Sequence, residues 1–126
     1  MSSYLDTQVA LWIALGGLGR LTVPATSHIQ STDLLLSPTV VLEMEYLYEM
    51  GRLTLRAKDI VRKLEYEVGT RVCGFGFAET IEVSLGEKWT RDPFERLIVA
   101  HAKANGLSSL ISADQKIRQN YPRAVW

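Results

Sequence analysis

A single cysteine, Cys73, among 126 residues leaves no partner for an intrachain disulfide and no set of thiolates for a structural metal site. The lone thiol fits a reducing, cytoplasmic setting and is expected to serve as a small buried hydrophobe. Net charge is missing too, because 14 Lys and Arg balance 14 Asp and Glu. That excludes a globally basic coat for nucleic acid and argues against intrinsic disorder, so an anionic partner must be met by a local patch. No apolar run is long enough to cross a membrane: "LDTQVALWIALGGLG" is short and interrupted, and it lacks the basic leader of a signal peptide. A soluble, unprocessed chain without a membrane partner is expected. Repeats, linkers and low-complexity segments are absent as well. What remains is 47% hydrophobic residues with three Trp, five Tyr and three Phe, enough for one core but not two, and so a single domain over residues 1–126.

"SSYL" reads as a short strand, followed by a helix from Thr7 that Gly16-Gly17 stops. A short helix over Pro24 to Ser31 leads to a buried strand, "DLLLS". Ser37 is placed to cap the next helix, Pro38 stands at its first position, and Gly51 ends it. "KDIVRKLEYEVG" is an amphipathic helix, "TRVCG" a short strand, and "FAETIEVSLGE" a helix despite its β-branched residues. A helix from Asp92 to about Asn105, the strand "LSSLIS", the short helix "ADQKIRQNY" and a terminal strand "RAVW" complete the chain. Strands alternating with helices predict a three-layer α/β/α sandwich around a central, mostly parallel sheet.

In such sheets ligands gather at the carboxyl ends of the strands. Asp6 directly follows "SSYL", Asp114 follows "LSSLIS", and Asp92 with Glu95 opens the helix leading into that same strand. Asp6, Asp92 and Asp114 can each be read as helix caps, and Glu95 as the reciprocal acid of a capping box. Capping cannot explain Glu43, which lies inside a helix beside the apolar Val40, Met44 and Leu47. Glu95 repeats that pattern beneath Ile98, Val99 and Ala102. Carboxylates converging on one place repel each other unless a divalent cation compensates them. Oxygen ligands without His or Cys suit Mg²⁺ or Mn²⁺, and the chemistry best served is metal-assisted phosphodiester hydrolysis.

Other constellations carry less. "GFGF" lacks the third glycine of a dinucleotide loop, "GGLG" follows a helix and reads as its stop, and neither His28 nor His101 has a serine nucleophile motif around it. His101 is expected to be a packed or rim residue. The basic candidates for the phosphates of a phosphodiester substrate are Arg91, Arg96 and Lys103 beside the acidic helix, and Lys116 with Arg118 beyond Asp114. Trp12, Tyr46 and Tyr48 could stack on bases or line a dimer seam, although core packing is the better reading for Trp12.

"LDTQVALW", "SPTVVLEMEYL", "WTRDPFERLIVAHAKANGLSSLISADQKI" and the closing "AVW" together resemble the PIN-domain ribonucleases, specifically VapC-type toxins of toxin–antitoxin pairs. The resemblance runs over essentially the whole chain. It implies a Mg²⁺ or Mn²⁺ pocket and endoribonuclease activity. It also implies a cognate antitoxin that places a basic side chain against the acids, and a homodimer. Carried over by position, it puts the family's acids on Asp6, Glu43 and Asp114, with supporting hydroxyls at Thr7, Ser37 and Ser112. The third acid departs from the family's usual "DPFDR", since Glu95 stands where an Asp is usual while Asp92 is retained. Asp92 is then a cap that can reach the ion through water, or the ligand itself.

Three functions compete on these residues. The first is a metal-dependent endoribonuclease with Asp6, Glu43, Glu95 and Asp114 as catalytic ligands. The second is a catalytically weakened PIN-fold module that binds RNA or a partner without cutting. The third is a receiver-like domain with phosphoryl chemistry on an Asp, which needs a paired acid after its first strand and a late Lys, neither of which is clear here.

Overall fold

The computed structural model describes residues 1–126. Its strands are β1 (Ser2–Leu5), β2 (Asp33–Leu36), β3 (Arg71–Val72), β4 (Ser109–Ile111) and β5 (Ala124–Val125), all parallel in the order β3-β2-β1-β4-β5. The helices are α1 (Thr7–Ala14), α2 (Val23–Ser31), α3 (Pro38–Glu49), α4 (Ala57–Val68), α5 (Phe77–Ser84), α6 (Pro93–Ala104) and α7 (Gln115–Asn120). The connections from β1 through β2 to β3, and back to β4 and β5, run through helices, and the right-handed crossing usual for parallel strands puts such helices on opposite faces of a sheet. The result is the expected α/β/α sandwich. Tyr4 and Leu5 are adjacent and both wholly buried, as a strand covered on both faces requires. They join Leu36, Met44, Ile60, Ile98, Leu110 and Ile111 in one hydrophobic core.

Local chemistry sets the helix starts and stops. Ser37 caps α3 through the Thr39 amide (3.2 Å) with Pro38 following, and Asp92 caps α6 ahead of Pro93. Gly69 closes α4 at φ 70°, where a β-carbon would cost energy. One element was not expected: a 3-10 turn over Leu18–Arg20 follows the double glycine that was read simply as a stop.

The sheet order changes direction at β1, whose neighbours are β2 on one side and β4 on the other. Such a reversal opens a crevice beyond the carboxyl ends of the strands flanking it. Here Tyr4 lies opposite Leu110 and Leu5 opposite Ile111, and the Asp6 amide extends the ladder to the Ile111 carbonyl (3.0 Å). The acid after β1 is thereby held beside the residues that leave β4.

Candidate active site

An open cleft of about 950 Å³ lies at this reversal, and Asp6, Glu43, Asp92, Glu95 and Asp114 all line it. They arrive from the end of β1, from α3, from the first turn of α6 and from the end of β4. The expected acids are therefore brought to one cavity, although no three of them converge closely enough to hold a metal ion as they stand. Mutual repulsion of uncompensated carboxylates favours such a spread.

Each acid is anchored by named donors. Asp6 Oδ1 accepts the Thr7 amide (2.8 Å) and Oδ2 accepts the Ser112 hydroxyl (2.6 Å). Thr7 Oγ1 donates to Glu43 Oε1 (2.5 Å), and Asp114 Oδ1 caps α7 through the Ile117 amide (3.0 Å). Asp92 Oδ1 takes the amides of Phe94 (2.9 Å) and Glu95 (3.4 Å). Glu43, Asp92, Glu95 and Asp114 each keep one oxygen without a protein donor. Each Asp6 oxygen accepts one bond and retains a second lone pair.

None of the five acids has an ion-pair partner, since the salt bridges of the molecule are Arg56–Glu45, Lys63–Glu67 and Lys103–Glu87. Burial pushes the Asp6 carboxyl up to about 6, with the charges of Glu43 and Asp114 adding to it and the Ser112 and Thr7 bonds opposing it. Glu43 is also raised, first by burial and then by Asp92 and Glu95, against the pull of Thr7. The five acids thus share one field of uncompensated negative charge. Their donor set is oxygen alone, which suits a hard divalent cation such as Mg²⁺ or Mn²⁺.

Several expectations need correction. Glu95 does not return to the helix start as a capping-box acid: its Oε2 accepts the Thr90 hydroxyl (2.6 Å), and Thr90 Oγ1 accepts the Asp92 amide (3.2 Å). Thr90, buried and unremarked in the sequence, therefore links the two acids. Ser37 supports the fold instead of the acids; it is buried and bonds His101 Nδ1 (2.9 Å). Burial lowers the His101 pKa and favours the neutral ring, which packs beside Tyr4. Cys73 is only half-buried, and its Sγ accepts the Tyr4 hydroxyl (3.0 Å).

The basic residues divide. Arg96 donates to the Ser84 carbonyl (2.7 Å) and the Leu85 carbonyl (3.3 Å), closing the end of α5. Lys103 is paired with the buried Glu87 (2.9 Å), so neither is free for phosphate. Arg91 bonds only the Lys88 carbonyl (3.2 Å) at the surface, and Lys116 and Arg118 are exposed without ion pairs. Two cations that sequence reasoning passed over, Arg20 and Arg52, line the cleft with the acids. Trp12 lines it too; it is half-buried, packing against the edge of the core as expected while also bordering the cleft. The only signal for Arg20 was the glycine-rich turn ahead of it.

No curated protein matches the chain. Among solved structures it is similar to a chain of the crystal structure of VapBC2 from Rickettsia felis bound to a DNA fragment from their promoter. The TM-score is 0.65 and the identity 16%, over 98% of this chain and 96% of that one, which is a likeness of fold. Residues 3–121 match the PIN domain, and the chain, with its acids gathered where the sheet reverses, belongs to the PIN-domain family.

Proposed function

We propose that this protein is a divalent-metal-dependent endoribonuclease of the VapC type, the toxin of a toxin–antitoxin pair. One observation carries the reading: five unpaired carboxylates from four chain segments line one open cleft, and burial raises Asp6 to about 6. Asp6, Glu43, Glu95 and Asp114 would hold the ion, and Asp92 would reach it through water. When bound, the cation supplies the charge that keeps these acids ionised and offsets the negative charge building on a scissile phosphate.

The chain's own groups do the positioning. Ser112 and Thr7 fix the Asp6 and Glu43 carboxylates, and Thr90 fixes Glu95. Water is the nucleophile: its oxygen bonds the phosphorus as the P–O bond to the leaving ribose oxygen breaks, its proton passes to a carboxylate oxygen of this set, and the leaving oxygen takes a proton from solvent; no serine or cysteine intermediate is required. The fold's likeness to VapBC2 supports an antitoxin partner, one that sets a basic side chain against the acids. Exposed Leu42 and Tyr46 on α3, with Phe77 and Leu85 at α5, support a homodimer.

The test is RNA cleavage by the purified chain. EDTA should abolish it, and Mg²⁺ or Mn²⁺ should restore it. Undiminished hydrolysis in excess chelator would overturn the mechanism. RNA binding without cleavage in either metal would assign the chain to the non-cutting module instead.

A further inference from the structure

The turn between α5 and α6 is fixed on both sides of one hydroxyl. Ahead of it, Glu87 accepts the Trp89 indole N–H (2.6 Å) at Oε2 and the Lys103 ammonium (2.9 Å) at Oε1, and Glu87 is only 3% exposed. Behind it, Asp92 caps α6 through the amides of Phe94 and Glu95. Thr90 stands between these anchors and is itself 3% exposed. Its Oγ1 receives the Asp92 amide, and its own proton goes to Glu95 Oε2. A carboxylate can only accept, so the direction of this bond is set. Turning the hydroxyl elsewhere would leave a buried polar group unsatisfied.

Thr90 thus engages one oxygen of a ligand that has two. Glu95 Oε1 takes no protein hydrogen bond and remains for an occupant of the cleft that Glu95 lines. Thr7 treats Glu43 in the same way, engaging Oε1 and leaving Oε2. Thr7 also gives its amide to Asp6, however, whereas Thr90 bonds no carboxylate but that of Glu95. Cations differ in what they ask of a carboxylate. Mg²⁺ is small, demands a near-octahedral shell and keeps several waters, so single oxygens serve it. Ca²⁺ gathers about six to eight oxygens in a flexible shell and readily takes both oxygens of one carboxylate.

We propose that Thr90 is a positioning residue that limits Glu95 to ligation through one oxygen and thereby sets the preference of the cleft for Mg²⁺ over Ca²⁺. This rests on the divalent-metal reading of the acids and deepens it. The pinned turn is what makes the restriction firm, because the hydroxyl cannot follow Glu95 if the carboxylate swings toward an ion.

The experiment measures the dissociation constants of Mg²⁺ and of Ca²⁺, each alone, by calorimetry on the full chain, with RNA cleavage followed separately. Thr90→Val removes the hydroxyl and should free both Glu95 oxygens, so the ratio of the Ca²⁺ constant to the Mg²⁺ constant should fall by about tenfold, as altered metal surroundings do. Thr90→Ala, which sets no extra methyl against the buried turn, should give the same fall, and Thr90→Ser should restore the parent ratio. In a chain already carrying Glu95→Gln, Thr90→Val should leave the ratio unchanged. Thr80→Val deletes a buried hydroxyl that bonds the Gly76 carbonyl on α5, outside the cleft, and should behave as the parent. An unchanged ratio in both Thr90→Val and Thr90→Ala, or a change that persists with Glu95→Gln, would overturn the proposal. A parent that binds Ca²⁺ as tightly as Mg²⁺ would do the same, and one that binds neither ion would remove the metal reading with it. A chain that shows the expected pattern yet cuts no RNA would keep the role of Thr90 and lose the nuclease reading. A chain that cuts in Mg²⁺ while the ratio ignores Thr90 would lose this proposal alone.

Discussion

Asp6 pays for its position with proton affinity, and that makes stability depend on pH in a direction opposite to that of a salt-bridged acid. Its carboxyl rises from 3.8 to about 6 on folding, chiefly through burial. The folded chain therefore holds the proton more tightly than the unfolded one. This contribution is intact below about pH 4 and fades as pH climbs through about 6, by on the order of 3 kcal/mol for a shift of roughly two units. In metal-free buffer, Asp6→Asn should raise the melting temperature at pH 7.5 and leave it nearly unchanged at pH 4.5. Equal effects at the two pH values would detach the acid from this role. Glu95→Gln should lower metal affinity and rate by ~10–100-fold, as perturbed metal shells do. Asp92→Ala should instead cost about 1 kcal/mol through the lost cap. Metal titration and thermal melts of the two variants separate these roles, and the reverse pattern would make Asp92 the ligand. Glu43 could be singled out in the sequence because no cap explained it; Thr90 could not, because its role depends on how the chain turns before Pro93.

At the scale of elements, α6 shows what a one-dimensional pattern conceals. Its cap, its proline and its buried Ile98, Val99 and Ala102 follow from local chemistry and helical spacing, so the helix was legible to within a residue at either end. The destinations of Arg96 and Lys103 were not, because they depend on α5, which packs against that face. Lys103→Met should leave the buried Glu87 without its cation and cost about 1–3 kcal/mol at neutral pH. A neutral effect would show that the Trp89 indole N–H, 2.6 Å away, satisfies Glu87 alone. The turn over Leu18–Arg20 escaped for a related reason: glycine marks where a helix ends but says nothing of the Trp12 indole pressing against it.

For the molecule as a whole, alternation of elements was enough for the layered parallel sheet, and the positions of acids at strand exits followed from it. The reversal at β1 was not readable, since strand order is decided by which edges meet in space. A ligand that binds only the folded cleft stabilises the entire fold, so Mg²⁺ at a hundred times its dissociation constant should add about 2.7 kcal/mol. A melting temperature indifferent to Mg²⁺ and Mn²⁺ would argue against the metal site. Light scattering should return the mass of two chains, and a monomer at all working concentrations would refute the dimer. The bond between Asp6 and Ser112 joins positions separated by 106 residues. A chain made from its amino end must therefore carry its first acid unpartnered through most of its synthesis. Until β4 has emerged and slotted beside β1, the cleft has only one of its walls, so the order of synthesis itself withholds whatever chemistry the gathered acids perform until the chain is nearly complete.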